Sequence, residues 1–448
     1  MSEPQAGSSL GDISTRATPD GADYALDPLG PRYRLRGNKM WISSGEHELT
    51  ENIIHLVLAK VPDEQGRLPA GVKGISLFIV PKHMVDTQGR LSGQRNDVAL
   101  AGLNHKLGWR GTTNTLLNFG EGRYPVDGQA GAVGYRVGQL GQGLGCMFHM
   151  MNEARIAIGM AATMLGLAGY DASLQYARQR PQGRHRATGQ ESGGPQVPII
   201  EHADVKRMLL AQKSYGEGSL ALQLYCARLV DEQRTGTAES AAQAHELLEL
   251  LTPVAKSWPS EWCLEANSLA IQVHGGYGYT RDFPVEQYWR DNRLNMIHEG
   301  THGIQAADLL GRKVRLNGGS AMDLLGQRIA ATVGAAQGRA ELADFGHSLE
   351  QAWRAVVSAG QAAWQGGDAQ RALANAVPFM QAFGHTVLAW LWLDLAVLAL
   401  GQPEGAARTG RLAAAQYFFR YELPKTGAWL SVVNNQDMTC ADLPDDAF

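Results

Sequence analysis

The densest chemistry in the chain sits in the pentapeptide HisGluGlyThrHis at 298–302. Read as HExxH on a helix, it sets two histidines one turn apart to bind zinc, with Glu299 activating a water. Such a site needs a third ligand. The extended pattern asks for glycine and then histidine where this chain has Gln305 and Asp308, and the next glutamate after Glu299 is Glu341. Gly300 also weakens any helix drawn through the motif. A zinc hydrolase built on His298, Glu299 and His302 is therefore the lesser reading, and no metal is expected.

Other candidate motifs say less. GlyGlnLeuGlyGlnGlyLeuGly at 138–145 would match a dinucleotide loop only with a glycine where Cys146 stands, and no parallel βαβ pattern surrounds it. It reads as a turn leading into a helix. Cys146, Cys226, Cys263 and Cys440 are widely separated and form no CxxC, so neither a disulfide framework nor a zinc ribbon is indicated. A reducing cytoplasm fits that usage, and MSEPQAGSSL at the start lacks the basic and apolar regions of a signal peptide.

These residues need a framework, and 448 residues with 44% hydrophobic side chains can build one of two to four domains. Forty basic against forty-four acidic side chains leave a formal net charge of −4, without the excess that a nucleic-acid partner requires. Up to about residue 125 the pattern is of strands. TyrArgLeu at 33–35 and LysMetTrpIle at 39–42 flank Gly37-Asn38 as in a hairpin, and the apolar runs 53–61 and 74–80 are separated by turn-forming residues. From 138 to 315 apolar residues recur at three- and four-residue spacing, which predicts helices at about 144–180, 200–235, 242–275 and 284–314. A polar insertion at 184–196 reads as a loop. From about 318 the composition turns to alanine, which predicts a further helical domain at 318–448. Its most apolar run, 387–400, is shorter than the ~20 residues that cross a bilayer and contains Asp394, so it reads as a buried helix and not a membrane span. The expected fold class is α+β: a small β-domain at 1–125, a helical bundle at 138–315, and an extra C-terminal helical domain.

Five segments in order carry a more specific signal. GluProGlnAlaGlySer at 3–8, GlyAsnLysMetTrpIleSer at 37–43, AsnHisLysLeuGly at 104–108, GlnValHisGlyGlyTyrGlyTyr at 272–279 and ArgAspAsnArgLeuAsnMetIleHisGluGlyThr at 290–301 resemble acyl-CoA dehydrogenase signatures in sequence, order and spacing. The resemblance covers residues 1 to about 315. The C-terminal extension resembles that of the larger members of the family, such as those acting on 3-methylmercaptopropionyl-CoA.

The resemblance implies a flavoprotein that converts an acyl-CoA thioester to the 2,3-enoyl-CoA, with FAD as hydride acceptor and an electron-transfer flavoprotein as the next carrier. It makes Glu299 the base that removes the α-proton, held in an apolar pocket, and makes its peptide NH a donor to the thioester oxygen. Ser2, Gly7, Ser8, Trp41, Ser43 and Thr301 match flavin-contacting positions. Arg180, Gln272, Gly275 and Gly276 match positions that hold the adenosine end of a neighbouring subunit's FAD, which implies a homo-oligomer. The chain starts inside the first motif, so the family's N-terminal helical domain is not in this sequence. A heteromer with a partner that supplies that half, or a non-catalytic subunit or fragment of a split dehydrogenase, is the alternative reading. A yellow protein favours the enzyme and a colourless, partner-dependent one favours the subunit.

Overall fold

The computed structural model describes residues 1–184 and 195–448, so most of the polar insertion expected as a loop lies outside the described residues. The chain divides into two compact units, Met1–Glu153 and Ala154–Phe448.

In the first unit nine strands run as β1 (Arg16–Pro19), β2 (Arg32–Ser43), β3 (Ile54–Lys60), β4 (Ile75–Pro81), β5 (His83–Val85), β6 (Leu91–Arg95), β7 (Val98–Leu103), β8 (Asn114–Phe119) and β9 (Ala132–Val137). Seven of them form one sheet in the order β1-β3-β4-β9-β2-β8-β7, and β1 pairs with β2 as well. That extra pairing closes β1, β3, β4, β9 and β2 into a ring, which removes two sheet edges, while β8 and β7 extend from the far half of β2. Tyr33, Leu35, Val57, Phe78, Leu117 and Phe119 fill the interior. The apolar runs read from sequence are β3 and β4.

The hairpin expected at Gly37-Asn38 is not formed. Both residues lie inside β2, with Gly37 opposite Phe119 and Asn38 opposite Asn118. The glycine answers a close approach instead of a turn: a Cβ at 37 would stand 2.3 Å from the Thr15 hydroxyl. That neighbour is remote in sequence, so no local pattern announces it.

The second unit is helical. After α1 (Gly143–Gln179) come α2 (Ala203–Thr235) and α3 (Ala238–His274), close to the expected spans. The single helix expected over 284–314 is interrupted. It divides into α4 (Val285–Asn292), a 3-10 turn at Arg293–Met296, and α5 (His302–Gly311). Glu299 at φ 54° and Gly300 at φ 92° are left-handed, which no helix accommodates. Then follow α6 (Ser320–Gln337), α7 (Ala343–Ala363), α8 (Ala369–Ala374), α9 (Ala376–Leu400), α10 (Ala406–Tyr417), α11 (Lys425–Asn434) and α12 (Thr439–Asp442). The helices after 318, expected as a separate domain, share one hydrophobic core with α2, α3 and α5. Both α1 and α9 are long and apolar enough to cross a bilayer, but α9 is buried in the protein over 72% of its apolar window and α1 over 33%. The apolar run at 387–400 is thus a core helix, as its Asp394 suggests.

Two prolines inside α3, Pro253 and Pro259, shape the centre of this unit. A helical proline cannot bond the carbonyl four residues back, so Pro259 frees the Ala255 oxygen. Gln223 of α2 takes it, with Nε2 donating at 2.7 Å. Gly159 of α1 packs against the same oxygen, where a Cβ would come to 1.9 Å. Gly159→Ala should therefore force α1 away from α3 and lower stability by about 1–3 kcal/mol in urea unfolding.

Candidate active site

In the helical unit the residues of interest gather on the turn between α4 and α5. Thr301 caps α5, its hydroxyl accepting from the Ile304 NH at 3.4 Å. Ahead of it, the two left-handed residues turn the chain out of helix. A non-glycine residue in that region carries strain of about 1–2 kcal/mol and persists only where surroundings over-determine it. Here they do. Gln305 Nε2 donates to the Glu299 carbonyl at 3.1 Å and Lys256 Nζ donates to the Gly300 carbonyl at 2.7 Å. Both donors are buried side chains. Among the described residues no protein acceptor takes the peptide NH of Glu299.

The Glu299 side chain is half-buried. Its surroundings are not the wholly apolar pocket that was expected, because it lies within electrostatic reach of two buried cations, Lys256 and Arg155. Burial and the nearby Arg155 charge push Lys256 down to about 8, against the pull of Glu299. Arg155 Nη1 stands 3.5 Å from Asp308 of α5, and its Nε has no partner among the described residues.

Beside the turn runs a chain of buried amides. His298 Nε2 lies 3.1 Å from Asn295 Oδ1; Asn295 Nδ2 donates to Asn292 Oδ1 at 2.9 Å, and Asn292 Nδ2 to Asn267 Oδ1 at 2.7 Å. Asn267 Nδ2 ends the chain on the Leu165 carbonyl at 2.8 Å. Since Asn295 Oδ1 can only accept, the proton of His298 belongs on Nε2. Burial and the Lys256 charge hold His298 down at about 4, so the ring is neutral near pH 7. Sequence reading gave no role to Lys256, Gln305 or the asparagines. The signals were present: asparagines and histidine at three-residue spacing at 292, 295 and 298, and one cation between two prolines in an otherwise apolar run.

The same geometry counts against a zinc site. The left-handed turn separates His298 from α5, where His302 begins the helix, so the two rings are not successive positions on one face. His302 Nε2 is 3.1 Å from Glu261 Oε2, while His298 Nε2 is engaged by Asn295. Among the described residues no three metal-binding side chains cluster.

Elsewhere in this unit a cavity of about 460 Å³ is lined by Arg180, Gly275 and Gly276, with Tyr176, His274 and Tyr277. Gly275 at φ 59° and Gly276 leave open space where a Cβ would stand. Gln272, placed with these by sequence, is exposed and not part of the lining. The chain on either side of the insertion is joined by Gln182 NH to the Val197 carbonyl at 2.9 Å, which leaves Arg180 at the cavity.

In the β-domain, Trp41 and Ser43 lie at the far end of β2, where its register against β8 shifts between Lys39 and Ile42. Trp41 has φ 61° and an indole 59% exposed, an unusual position for a large aromatic. Ser2 joins it through its carbonyl, which accepts from the Met40 NH at 3.1 Å. The anchor is a buried ion pair that sequence reading passed over: Lys39 Nζ to Glu3 Oε1 at 2.7 Å. Glu3 also accepts from the Ser14 and Thr15 NH groups and the Thr15 hydroxyl. Burial works to raise its carboxyl, but the Lys39 charge and these hydrogen bonds outweigh that and hold it at about 2. Gly7 and Ser8 follow on the exposed N-terminal segment, Gly7 with open space at its Cβ position.

A β-barrel unit thus precedes a helical unit that carries a carboxylate on a strained, clamped turn, and comparison with known proteins gives the family. The acyl-CoA dehydrogenase C-terminal domain matches residues 141–313, and an acetyl-CoA dehydrogenase C-terminal-like domain matches 325–444. A 3-methylmercaptopropionyl-CoA dehydrogenase from Ruegeria pomeroyi is 39% identical over 440 residues, spanning 96% of this chain and 70% of that protein. A broad-specificity linear acyl-CoA dehydrogenase, FadE5, from Mycobacterium tuberculosis is 31% identical, over 100% of this chain and 73% of its own length. The chain belongs to the acyl-CoA dehydrogenase family, FAD-binding oxidoreductases that act on CH–CH groups. Its fold agrees with Caenorhabditis elegans ACDH-11, solved with C11-CoA, at a TM-score of 0.74 and 23% identity, covering 95% of this chain and 64% of that one. A Bacillus anthracis acyl-CoA dehydrogenase solved with FAD gives the same TM-score at 18% identity, over 96% of this chain and 67% of its own.

The residues present suit FAD. An exposed indole offers a face for a planar ring, Ser2, Ser8 and Ser43 offer hydroxyls, and the open space at Gly7, Gly275 and Gly276 lets a bound group come close to the backbone.

Glu3→Gln would leave Lys39 buried without its counter-charge, and is expected to lower stability by about 3–5 kcal/mol at pH 7. A depressed carboxylate contributes stability that is present above about 4.5 and lost as pH falls through about 2. Urea titrations should therefore show the gap between wild type and E3Q closing over that acid range.

Proposed function

We propose that this protein dehydrogenates an acyl-CoA thioester to the 2,3-enoyl-CoA with Glu299 as base. The observation that carries the reading is the Glu299 turn, strained yet clamped at both carbonyls, with no acceptor for its peptide NH among the described residues. Removing an α-proton requires a positioned base and a donor at the oxygen where enolate charge collects. Glu299 offers both. Its carboxylate takes the α-proton, and its NH donates to the thioester oxygen. Because Gln305 and Lys256 occupy the two carbonyls, the turn cannot relax into helix and rotate either group away. FAD supplies the acceptor for the β-hydride.

Each unit contributes separately to holding that cofactor. From the β-domain, Trp41 gives a ring face, Ser43 a hydroxyl and the Ser2–Ser8 segment its backbone and hydroxyls. From the helical unit, Thr301 keeps a hydroxyl proton to donate while its oxygen caps α5. Arg180, Gly275 and Gly276, together with Gln272, take the adenosine end of the FAD of a second copy, so the working form is a homo-oligomer. Electrons then pass to an electron-transfer flavoprotein. The four free cysteines suit the reducing cytoplasm as its compartment.

The test is anaerobic mixing of the FAD-loaded chain with a panel of acyl-CoA esters. Bleaching of the flavin band is expected with at least one ester, and no bleaching with any would overturn the reading. Glu299→Gln should bind FAD as the wild type does while the bleaching rate falls by about 10²-fold or more. Retained reduction in that variant would remove Glu299 from the role.

A further inference from the structure

The middle of α3 buries a charge that the reaction as written does not require. Lys256 is fully enclosed, donates to the Gly300 carbonyl at 2.7 Å, and has no carboxylate within ion-pair distance among the described residues. An ammonium withdrawn from water is costly, and an apolar side chain of the same volume would avoid that cost. Around it stand Arg155 from α1 and Glu299 and His298 from the turn, with Asp308 of α5 and Glu249 of α3 acting on Arg155. The anion that acts on Lys256 itself is Glu299.

We propose that Lys256 is a positioning residue for the base: it clamps the Glu299 turn through the Gly300 carbonyl and keeps a fixed positive charge beside it throughout proton transfer. This rests on the reading of Glu299 as base. Before transfer the negative charge is on the Glu299 carboxylate. As that group takes the α-proton, negative charge develops on the thioester oxygen, at the Glu299 NH, until the β-hydride departs with it. Both places belong to one residue, so the cation has an anionic neighbour for as long as the proton is moving. Lys256 acts through the turn and by its charge, and exchanges no proton in the reaction.

Lys256→Met removes clamp and charge with little change in volume. K256M is expected to take up FAD normally, to keep the ester concentration for half-maximal rate, and to bleach on the order of tenfold more slowly at pH 7. Lys256 sits at about 8, so the wild-type rate should fall as pH rises through that value, and this alkaline limb should be absent from K256M. Melting gives a readout independent of catalysis. A lysine depressed from 10.5 to about 8 contributes stability that is present above 10.5 and lost as pH falls through 8, so K256M should melt higher than wild type below pH 8, and the two should converge toward 10.5. A K256M that bleaches at the wild-type rate with the wild-type pH profile overturns the proposal. So does one whose slower rate comes with lost FAD or a lower melting temperature, which would make the lysine structural only. A wild-type chain bleached by no ester overturns the reading of Glu299 and this proposal together, whereas a bleached wild type with an unaltered K256M overturns this proposal alone.

Discussion

An ammonium group in the interior of a helical protein must find compensation for the water it has lost, and the bond from Lys256 to the Gly300 carbonyl is where this protein provides it. Much of the helical unit converges on that contact. Lys256 lies between Pro253 and Pro259 in a stretch of α3 that is buried on every side. The carbonyl freed by Pro259 is taken by Gln223 of α2, and Gly159 admits α1 against the same backbone. Three long helices are thereby held together within one turn of the lysine. Its head group then fixes a segment that could not hold its own shape.

That segment is the strained turn. Two left-handed residues in succession, one of them a glutamate, would relax in isolation toward helix or disorder. Gln305 reaches back from α5 to one carbonyl, Lys256 reaches across from α3 to the next, and Thr301 closes the first turn of α5. On the other side the amides of Asn295, Asn292 and Asn267 hold His298 in a single orientation. Even the C-terminal helices take part. Gln381 of α9 lies 3.3 Å from His302, and Trp364 donates to the Leu310 carbonyl at the end of α5 at 3.0 Å. The shared core after residue 318 thus secures α5 from behind, and α5 carries the turn at its N-terminus.

The β-domain follows the same logic on a smaller scale. Its exposed Trp41 sits on an irregular strand end, and the N-terminal segment is joined to that end by the buried Glu3–Lys39 pair and the bond from Met40 to Ser2. Breaking either partner leaves an unpaired buried charge, so the pair acts more as a specification of position than as a source of net stability. In both units an exposed or strained residue is fixed by a polar contact buried close by.

Much of this was legible in the sequence where the cause is local. The spans of α1, α2 and α3 followed from apolar spacing, β3 and β4 from short β-branched runs, and the order of five motifs pointed to the family and to Glu299. The errors share one origin. Gly37 marks a close approach to Thr15, and Glu299 leaves helical geometry because donors from α3 and α5 hold its turn. By itself the sequence determined the family and the spans of most helices and strands, because those depend on side-chain type and neighbours a few positions away. Only the tertiary structure decided that Lys256 meets a carbonyl 44 residues further along the chain, and that Glu3 meets Lys39. A buried charge is free to choose among many partners until packing brings one within hydrogen-bond reach, and no local pattern records that choice.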